Sequence, residues 1–282
     1  MQFFLEVLIG GMLAGVMYSM VAFGFVLIYK ASGVFNFAQG AMVLFAALTF
    51  VSLVERGLGF WLALAASLLA MLALGLLIER AVLRPLVGRP PIVLFMATLG
   101  LSYVIEGGAQ ALWGNQVHAL ELGIDDRPFD VAGVSISQFD LFAAACAGLL
   151  VTGLSLWFAR TRTGLRLRAV ADDPLAALAV GIDLRRVLAV VWSLAGLVAL
   201  IAGLLWGARS GVQFSLSLVV LKALPVLIIG GLLIGASEKL AEVYLGPVIG
   251  SGLENWFPYA LALLFLFFRP HGLFGQRAVQ RV

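Results

Sequence analysis

Long apolar runs separated by short polar stretches organise this chain from end to end. A helix that crosses a bilayer needs about 20 predominantly apolar residues. Eight runs approach or exceed that length: 3–29, 33–54, 58–78, 91–113, 137–158, 187–206, 211–235 and 245–268. They are continuous rather than alternating, and far too long for strands. The pattern predicts an all-α, polytopic helical membrane protein of about eight spanning helices. One transmembrane domain covers 1–282, with no linker and no internal repeat.

Charge sets the orientation. Arg80, Arg84 and Arg89 form one cluster, Arg160, Arg162, Arg166, Arg168, Arg185 and Arg186 a second, and Arg269, Arg277 and Arg281 a third; together they hold 12 of the 18 basic residues. The stretch 114–137 instead carries Glu121, Asp125, Asp126 and Asp130 against Arg127 alone. Basic loops stay in the cytoplasm. Lys30, 79–90 and 159–186 are therefore expected inside, and Glu55–Arg56, 114–136 and 207–210 outside. Met1–Tyr29 has one charge, Glu6, and no basic stretch ahead of its apolar run. That run also exceeds the about 7–15 residues of a signal-peptide core. It is expected to be the first spanning helix, with the N-terminus outside and the C-terminus cytoplasmic.

The last third breaks the alternation. From Arg209 outside to Arg269 inside, the chain must cross an odd number of times, yet two apolar runs follow. Pro225 and Gly230–Gly231 can interrupt a helix, and irregular backbone at membrane depth is tolerated where protein or a water-filled cavity covers it. The expectation is a broken or re-entrant pair within 211–241 and one crossing at 245–268.

Composition narrows the function classes. The chain is 62% hydrophobic and 12% charged, where soluble domains are about 25% charged. The pI of 9.3 reflects loop topology, so no nucleic-acid partner is expected; the lipid bilayer is. Cys146 is the single cysteine, so no disulfide forms within one chain. The two histidines, His118 and His271, stand apart, and HExxH, GxSxG and GxxxxGK[ST] are absent. No catalytic residue, no metal ligand set and no cofactor on this chain is expected. Recurrent small residues such as Gly11, Gly15, Gly203 and Gly235 read first as close helix packing.

Two segments carry candidate function. The first is Tyr29-Lys-Ala-Ser-Gly-Val-Phe-Asn-Phe-Ala-Gln-Gly40, where Asn36 and Gln39 place amides at the start of the second span. They can satisfy helix-end backbone groups, or hydrogen-bond a solute. The second is the loop 159–186. There Asp173 suits an N-cap, Pro174 the first helical position, and Gly181 a left-handed stop after about two turns. So short a helix needs a support: the membrane surface or a partner protein. Two charges also fall within apolar runs, Glu106 and Lys222; they could pair by depth, or Lys222 could snorkel.

Asn-Phe-Ala-Gln-Gly at 36–40, Arg-Pro-Leu-Val-Gly-Arg-Pro-Pro at 84–91, Ala-Thr-Leu-Gly at 97–100, the loop 160–182 and Arg-Pro-His-Gly-Leu-Phe-Gly at 269–275 resemble the branched-chain amino acid ABC-importer permeases. The order is kept along nearly the whole chain, and the first-permease subunit type is the nearest match. The resemblance implies a bacterial inner-membrane importer with a second permease subunit, two cytoplasmic P-loop ATPase subunits and a soluble extracytoplasmic substrate-binding protein. ATP hydrolysis would lie on the partners, so this chain is expected not to be an enzyme. Asn36, Phe37, Gln39, Gly40 and Thr98 are expected along the substrate path. Asp173, Pro174, Ala176, Ala177 and Gly181 would form the helix coupled to the ATPase. One departure stands out: after Lys222-Ala-Leu-Pro225 the family's longer glycine-rich hinge is short by about a dozen residues. The solute stays open between branched-chain amino acids, urea or short amides, and small organic acids. A self-sufficient channel or secondary transporter is the alternative class.

Overall fold

The computed structural model describes residues 2–32, 35–86, 89–124, 128–131, 133–223, 228–250 and 252–268. Pro225 and the arginine-rich ending 269–281 lie outside them, as do Asp125, Asp126 and Arg127. Among the described residues the chain forms eleven α-helices and one small hairpin. The helices are α1 (Gln2–Ser32), α2 (Gln39–Glu55), α3 (Phe60–Ile78), α4 (Pro91–Trp113), α5 (Gln138–Arg160), α6 (Arg162–Asp172), α7 (Pro174–Ala179), α8 (Leu184–Ser210), α9 (Leu216–Lys222), α10 (Ile228–Ile249) and α11 (Leu253–Phe268). The antiparallel strands β1 (Pro128–Val131) and β2 (Val134–Ser137) sit in the loop between α4 and α5. All-α architecture is therefore correct, with this hairpin as a local addition.

Helix directions follow from residue pairs. Gly75 of α3 meets Trp192 of α8, and Gly196 of α8 meets Met71 of α3, so these two run antiparallel. Gly203 of α8 meets Val43 of α2, and Gln39 meets Ala195, so these two run parallel. The bundle thus has two ends. Arg80, Arg84, the α5–α8 connection and the start of α8 share one, here the arginine end. At the other, the hairpin end, His118 binds Glu55 at 2.8 Å, Arg209 binds Asp140 at 3.2 Å and Ser135 N–H donates to Glu6 at 2.9 Å. The expected partition of loops between two sides is what the tertiary structure has.

Among the described residues, five segments are long and apolar enough to cross a membrane: Gln2–Lys30, Phe60–Leu86, Ile92–Trp113, Gln138–Arg160 and Leu184–Ser210. The most apolar windows of α1 and α8 are 72% and 67% buried, against 28%, 17% and 22% for the three others. Hence α1 and α8 form the centre, while α3, α4 and α5 turn apolar faces outward. The shorter α2, of 17 residues, is nonetheless mostly buried beside α8.

The last third departs from the expectation at one run: 245–268 is divided between the end of α10 and α11. Val212 pairs with His118 at the hairpin end, through bonds of 3.0 and 2.9 Å. Five residues on, the Ser217 carbonyl presses against Gly40 in the first turn of α2, where any Cβ would collide. The chain has dipped far into the bundle. α10 then returns to the hairpin end. Gly11 faces Gly235 and Gly15 faces Gly231, so α10 runs antiparallel to α1 and begins level with Tyr18, about halfway along it. Phe3 and Tyr244 meet at the hairpin end, ring centroids 6.5 Å apart. α9 and α10 thus descend and return within the bundle, and the 16-residue α11 follows them. Glu238, Lys239 and Glu242 fall inside α10. The missed signal is that Gly231, Gly235 and these charges sit on one helix packed against α1.

Candidate functional site

The amide cluster at the start of α2 is fully buried, with Asn36 and Gln39 both 0% exposed. Asn36 Oδ1 accepts from the Ala38 N–H at 3.1 Å, and its Nδ2 donates to Gln39 Oε1 at 3.4 Å. Gln39 Nε2 donates to the Ala195 carbonyl of α8 at 3.3 Å. Phe37 packs edge-on to Phe95 of α4, centroids 4.9 Å apart. Thr98 of α4 donates to the carbonyls of Phe95 at 3.0 Å and Phe35 at 3.4 Å. The structure thus brings Asn36, Phe37, Gln39, Gly40 and Thr98 together as one knot joining α2, α4, α8 and α9. Its amides are engaged with backbone and with each other. None of the five is among the lining residues of the two cavities described below. An unpaired amide inside an apolar bundle costs about 1–3 kcal/mol, and the bundle satisfies these amides itself.

A cavity of 540 Å³ opens instead between α1, α8, α9, α10 and α11. Tyr18, Trp206, Arg209, Lys222, Glu238 and Asn255 are among its lining residues. Lys222 Nζ donates to Glu238 Oε1 at 3.3 Å, and the Tyr18 hydroxyl donates to the same oxygen at 3.2 Å. The pair is buried, with side chains 13% and 6% exposed. Lys222 therefore neither snorkels nor pairs with Glu106; it binds the carboxylate of Glu238 on α10. The Tyr18 ring stacks obliquely on Trp206 at 5.0 Å, and the Arg209 guanidinium lies 5.6 Å over that indole. A second cavity, 630 Å³, lies at the hairpin end and shares Arg209, with Glu121 and Asp140 in its wall. No cluster of metal-ligating side chains occurs among the described residues.

At the arginine end, α6 and α7 form a two-helix shelf. Thr161 caps α6, accepting from the Gly164 N–H at 3.1 Å. Leu167 and Val170 of α6 face the bundle, while Arg162, Arg166 and Arg168 face out. Asp173 Oδ1 accepts from the Ala176 N–H at 3.0 Å, and Pro174 opens α7. At the far end, Gly181 N–H reaches the Leu178 carbonyl and Ile182 N–H the Ala177 carbonyl, both at 3.0 Å. That is a Schellman stop, and Gly181 has φ 82°. Ala177 is the buried anchor, at 3% exposed, whereas Leu178 and Val180 are 50% and 76% exposed. The capped helix read from sequence exists, and it presents apolar side chains among arginines.

Fold and sites together define a polytopic membrane protein with buried charge and a structured loop helix. The sequence model of the branched-chain amino acid transport system permease component matches residues 7–266. The chain belongs to that family. It is 26% identical over 305 aligned residues to the high-affinity branched-chain amino acid transport system permease protein BraD of Pseudomonas aeruginosa, covering 99% of this chain and 98% of that one. To the permease protein LivH of Escherichia coli K12 it is 24% identical over 306 residues, with the same coverages. To the probable branched-chain amino acid transport permease protein LivH of Methanocaldococcus jannaschii it is 28% identical over 281 residues, covering 91% and 88%. The alignment to BraD, 305 positions, exceeds the 282 residues of this chain, so BraD carries segments without counterpart here. No solved structure matches the chain significantly.

Proposed function

We propose that this chain is a permease subunit of an ATP-driven importer for branched-chain amino acids in the bacterial inner membrane, with its N-terminus outside. In this reading it pairs with a second permease subunit. Two cytoplasmic P-loop ATPase subunits drive the pair, and a soluble extracytoplasmic protein delivers the solute. Relatives covering nearly the whole chain carry that substrate class in their names, which supports the choice of solute. The arginine end is then cytoplasmic by the positive-inside rule, and the hairpin end faces the binding protein.

The observation that carries the coupling role is α7. Six residues do not hold a helix in water by themselves, yet α7 is capped at both ends and leaves Leu178 and Val180 uncovered. A helix stabilised locally and apolar outward suits insertion into a groove. Asp173, Pro174, Ala176, Ala177 and Gly181 are its frame: cap, first turn, anchor and stop. The amide knot at Asn36–Gly40 and Thr98 holds the inner ends of α2, α4 and α9 in register. A path role for it requires these helices to part during transport.

Co-purification of the intact complex, followed by leucine uptake into proteoliposomes with and without internal ATP, tests this. ATP-dependent uptake that also needs the binding protein is the expected result. Flux through this chain alone, without ATPases, refutes it in favour of a channel or secondary transporter.

A further inference from the structure

The uncovered face of α5 ends where the arginine loop begins. Leu149 is 75% exposed, Leu156 and Trp157 are exposed too, and nothing stands within 4 Å of where a Cβ at Gly153 would be. Positions 149, 153, 156, 157 and 160 recur at helical spacing, so Arg160 closes the same stripe. In a bilayer, acyl chains cover such a stripe, and Trp157 falls near its end, where indoles gather at the headgroups. The chain then turns sharply. Thr161 is extended and accepts the Gly164 N–H, and Gly164 backs onto the Phe158 carbonyl so closely that any side chain there would collide. The first turn of α6 is thus pressed against the last turn of α5 and cannot extend away from it. Leu167 and Val170 turn into the bundle. Arg162 and Arg166, one turn apart, are exposed on the opposite face with Leu165 between them. Arg168 donates to the Ala159 carbonyl at 3.3 Å, and Arg186 pairs with Asp183 at 3.2 Å. Arg160, Arg162 and Arg166 form no ion pair with a carboxylate among the described residues.

We propose that Arg160, Arg162 and Arg166 hold the phosphate of an anionic phospholipid at the α5–α6 elbow, with its acyl chains along the Leu149–Trp157 stripe. The positive-inside rule asks only that the loop be basic. It does not ask for three unpaired guanidiniums within seven residues, fixed by a glycine elbow beside an exposed tryptophan. All six basic residues of 159–186 are arginine. Lysine would serve topology equally well, whereas the guanidinium fork matches phosphate oxygens two at a time. A zwitterionic headgroup brings its own cation and gains less from the cluster. Basic residues next to a span attract an anionic leaflet in this way. Continuity decides for lipid over a protein partner: the face starts in the acyl region on α5 and reaches the arginines without a break. The apolar side chains of α7 stay free for a cytoplasmic partner. The inference goes beyond the importer reading and holds whatever solute is carried.

The test is lipid binding to the intact, detergent-purified and delipidated complex, counted by native mass spectrometry. Phosphatidylglycerol and phosphatidylcholine with the same acyl chains are titrated separately. Phosphatidylglycerol should bind at least about tenfold tighter. Arg160→Gln/Arg162→Gln/Arg166→Gln should bring it down to the phosphatidylcholine level, and Arg185→Gln/Arg186→Gln should leave it unchanged. Arg160→Lys/Arg162→Lys/Arg166→Lys keeps the charge and topology of the loop, and should still weaken phosphatidylglycerol by about threefold through loss of the bidentate fork. Phosphatidylglycerol with a diazirine on its acyl chain should label α5 near Trp157. Soluble glycerol 3-phosphate at the same concentration should not displace the lipid; displacement reveals a free-anion site and overturns the proposal. Equal retention of the two lipids overturns it, as does native retention in the lysine variant. Loss of ATPase subunits from the glutamine variant with lipid retention unchanged gives these arginines to a protein partner and overturns it as well.

Discussion

Replacing Gly181 by valine should uncouple ATP hydrolysis from uptake without preventing assembly. Gly181 holds φ 82° at the end of α7, a region that costs an L-residue about 1–2 kcal/mol and suits a β-branched one least. Nothing lies within 4 Å of where a Cβ would stand, so the effect is backbone strain and not collision. Relieving the strain means losing the two 3.0 Å bonds from Gly181 and Ile182 that close the helix. A helix of six residues has little else to hold it. One or two kcal/mol shifts a two-state population by a factor of about 5–30, so the ordered, dockable α7 becomes the minor state. Transport per ATP hydrolysed should fall by about tenfold. The assay is leucine uptake and phosphate release measured together in proteoliposomes, with complex yield as the assembly control. Gly181→Asn is the matched comparison, because asparagine tolerates the left-handed region and should retain most coupling. Native coupling in Gly181→Val refutes the reasoning, and so does equal damage from asparagine.

Gly15→Leu should lower the thermal stability of the purified chain, since a Cβ there meets the Gly231 backbone, whereas Gly10→Leu meets nothing within 4 Å and should not; overpacking costs about 1–3 kcal/mol, and equal melting of the two variants counts against the α1–α10 contact. Single cysteines at Glu121 and Arg166, in a Cys146→Ser background, should react differently with an impermeant thiol reagent on intact cells. Labelling at 121 only is expected, and labelling at 166 only reverses the topology. Asn36→Ala/Gln39→Ala should reduce the yield of assembled complex, because it removes the bonds to Ala38 and Ala195. Native yield with altered solute preference would instead put these amides on the path.

The chain's own order of residues determined its class, its partition into two ends and most helix positions. Apolar length and arginine placement act locally: each run must be a helix because no water reaches its backbone, and each basic loop stays on one side. Thus 91–113 coincides with α4, and the Asp173–Gly181 helix has both caps that its residues announce. The parity of crossings pointed to a broken or re-entrant pair within 211–241, without giving its path. Tertiary structure decided the rest. Whether Asn36 and Gln39 face a solute or the Ala195 carbonyl depends on α8, over a hundred residues away. Charge at a helix centre has no meaning until its neighbour is known. Lys222 reads as a lone lysine in an apolar run, and its pairing with Glu238 appears only because the Gly11, Gly15, Gly231 and Gly235 contacts seat α10 against α1 and bring Glu238 beside Tyr18. Local pattern sets what each segment can be; long-range packing sets which polar groups are satisfied and which are left facing a cavity.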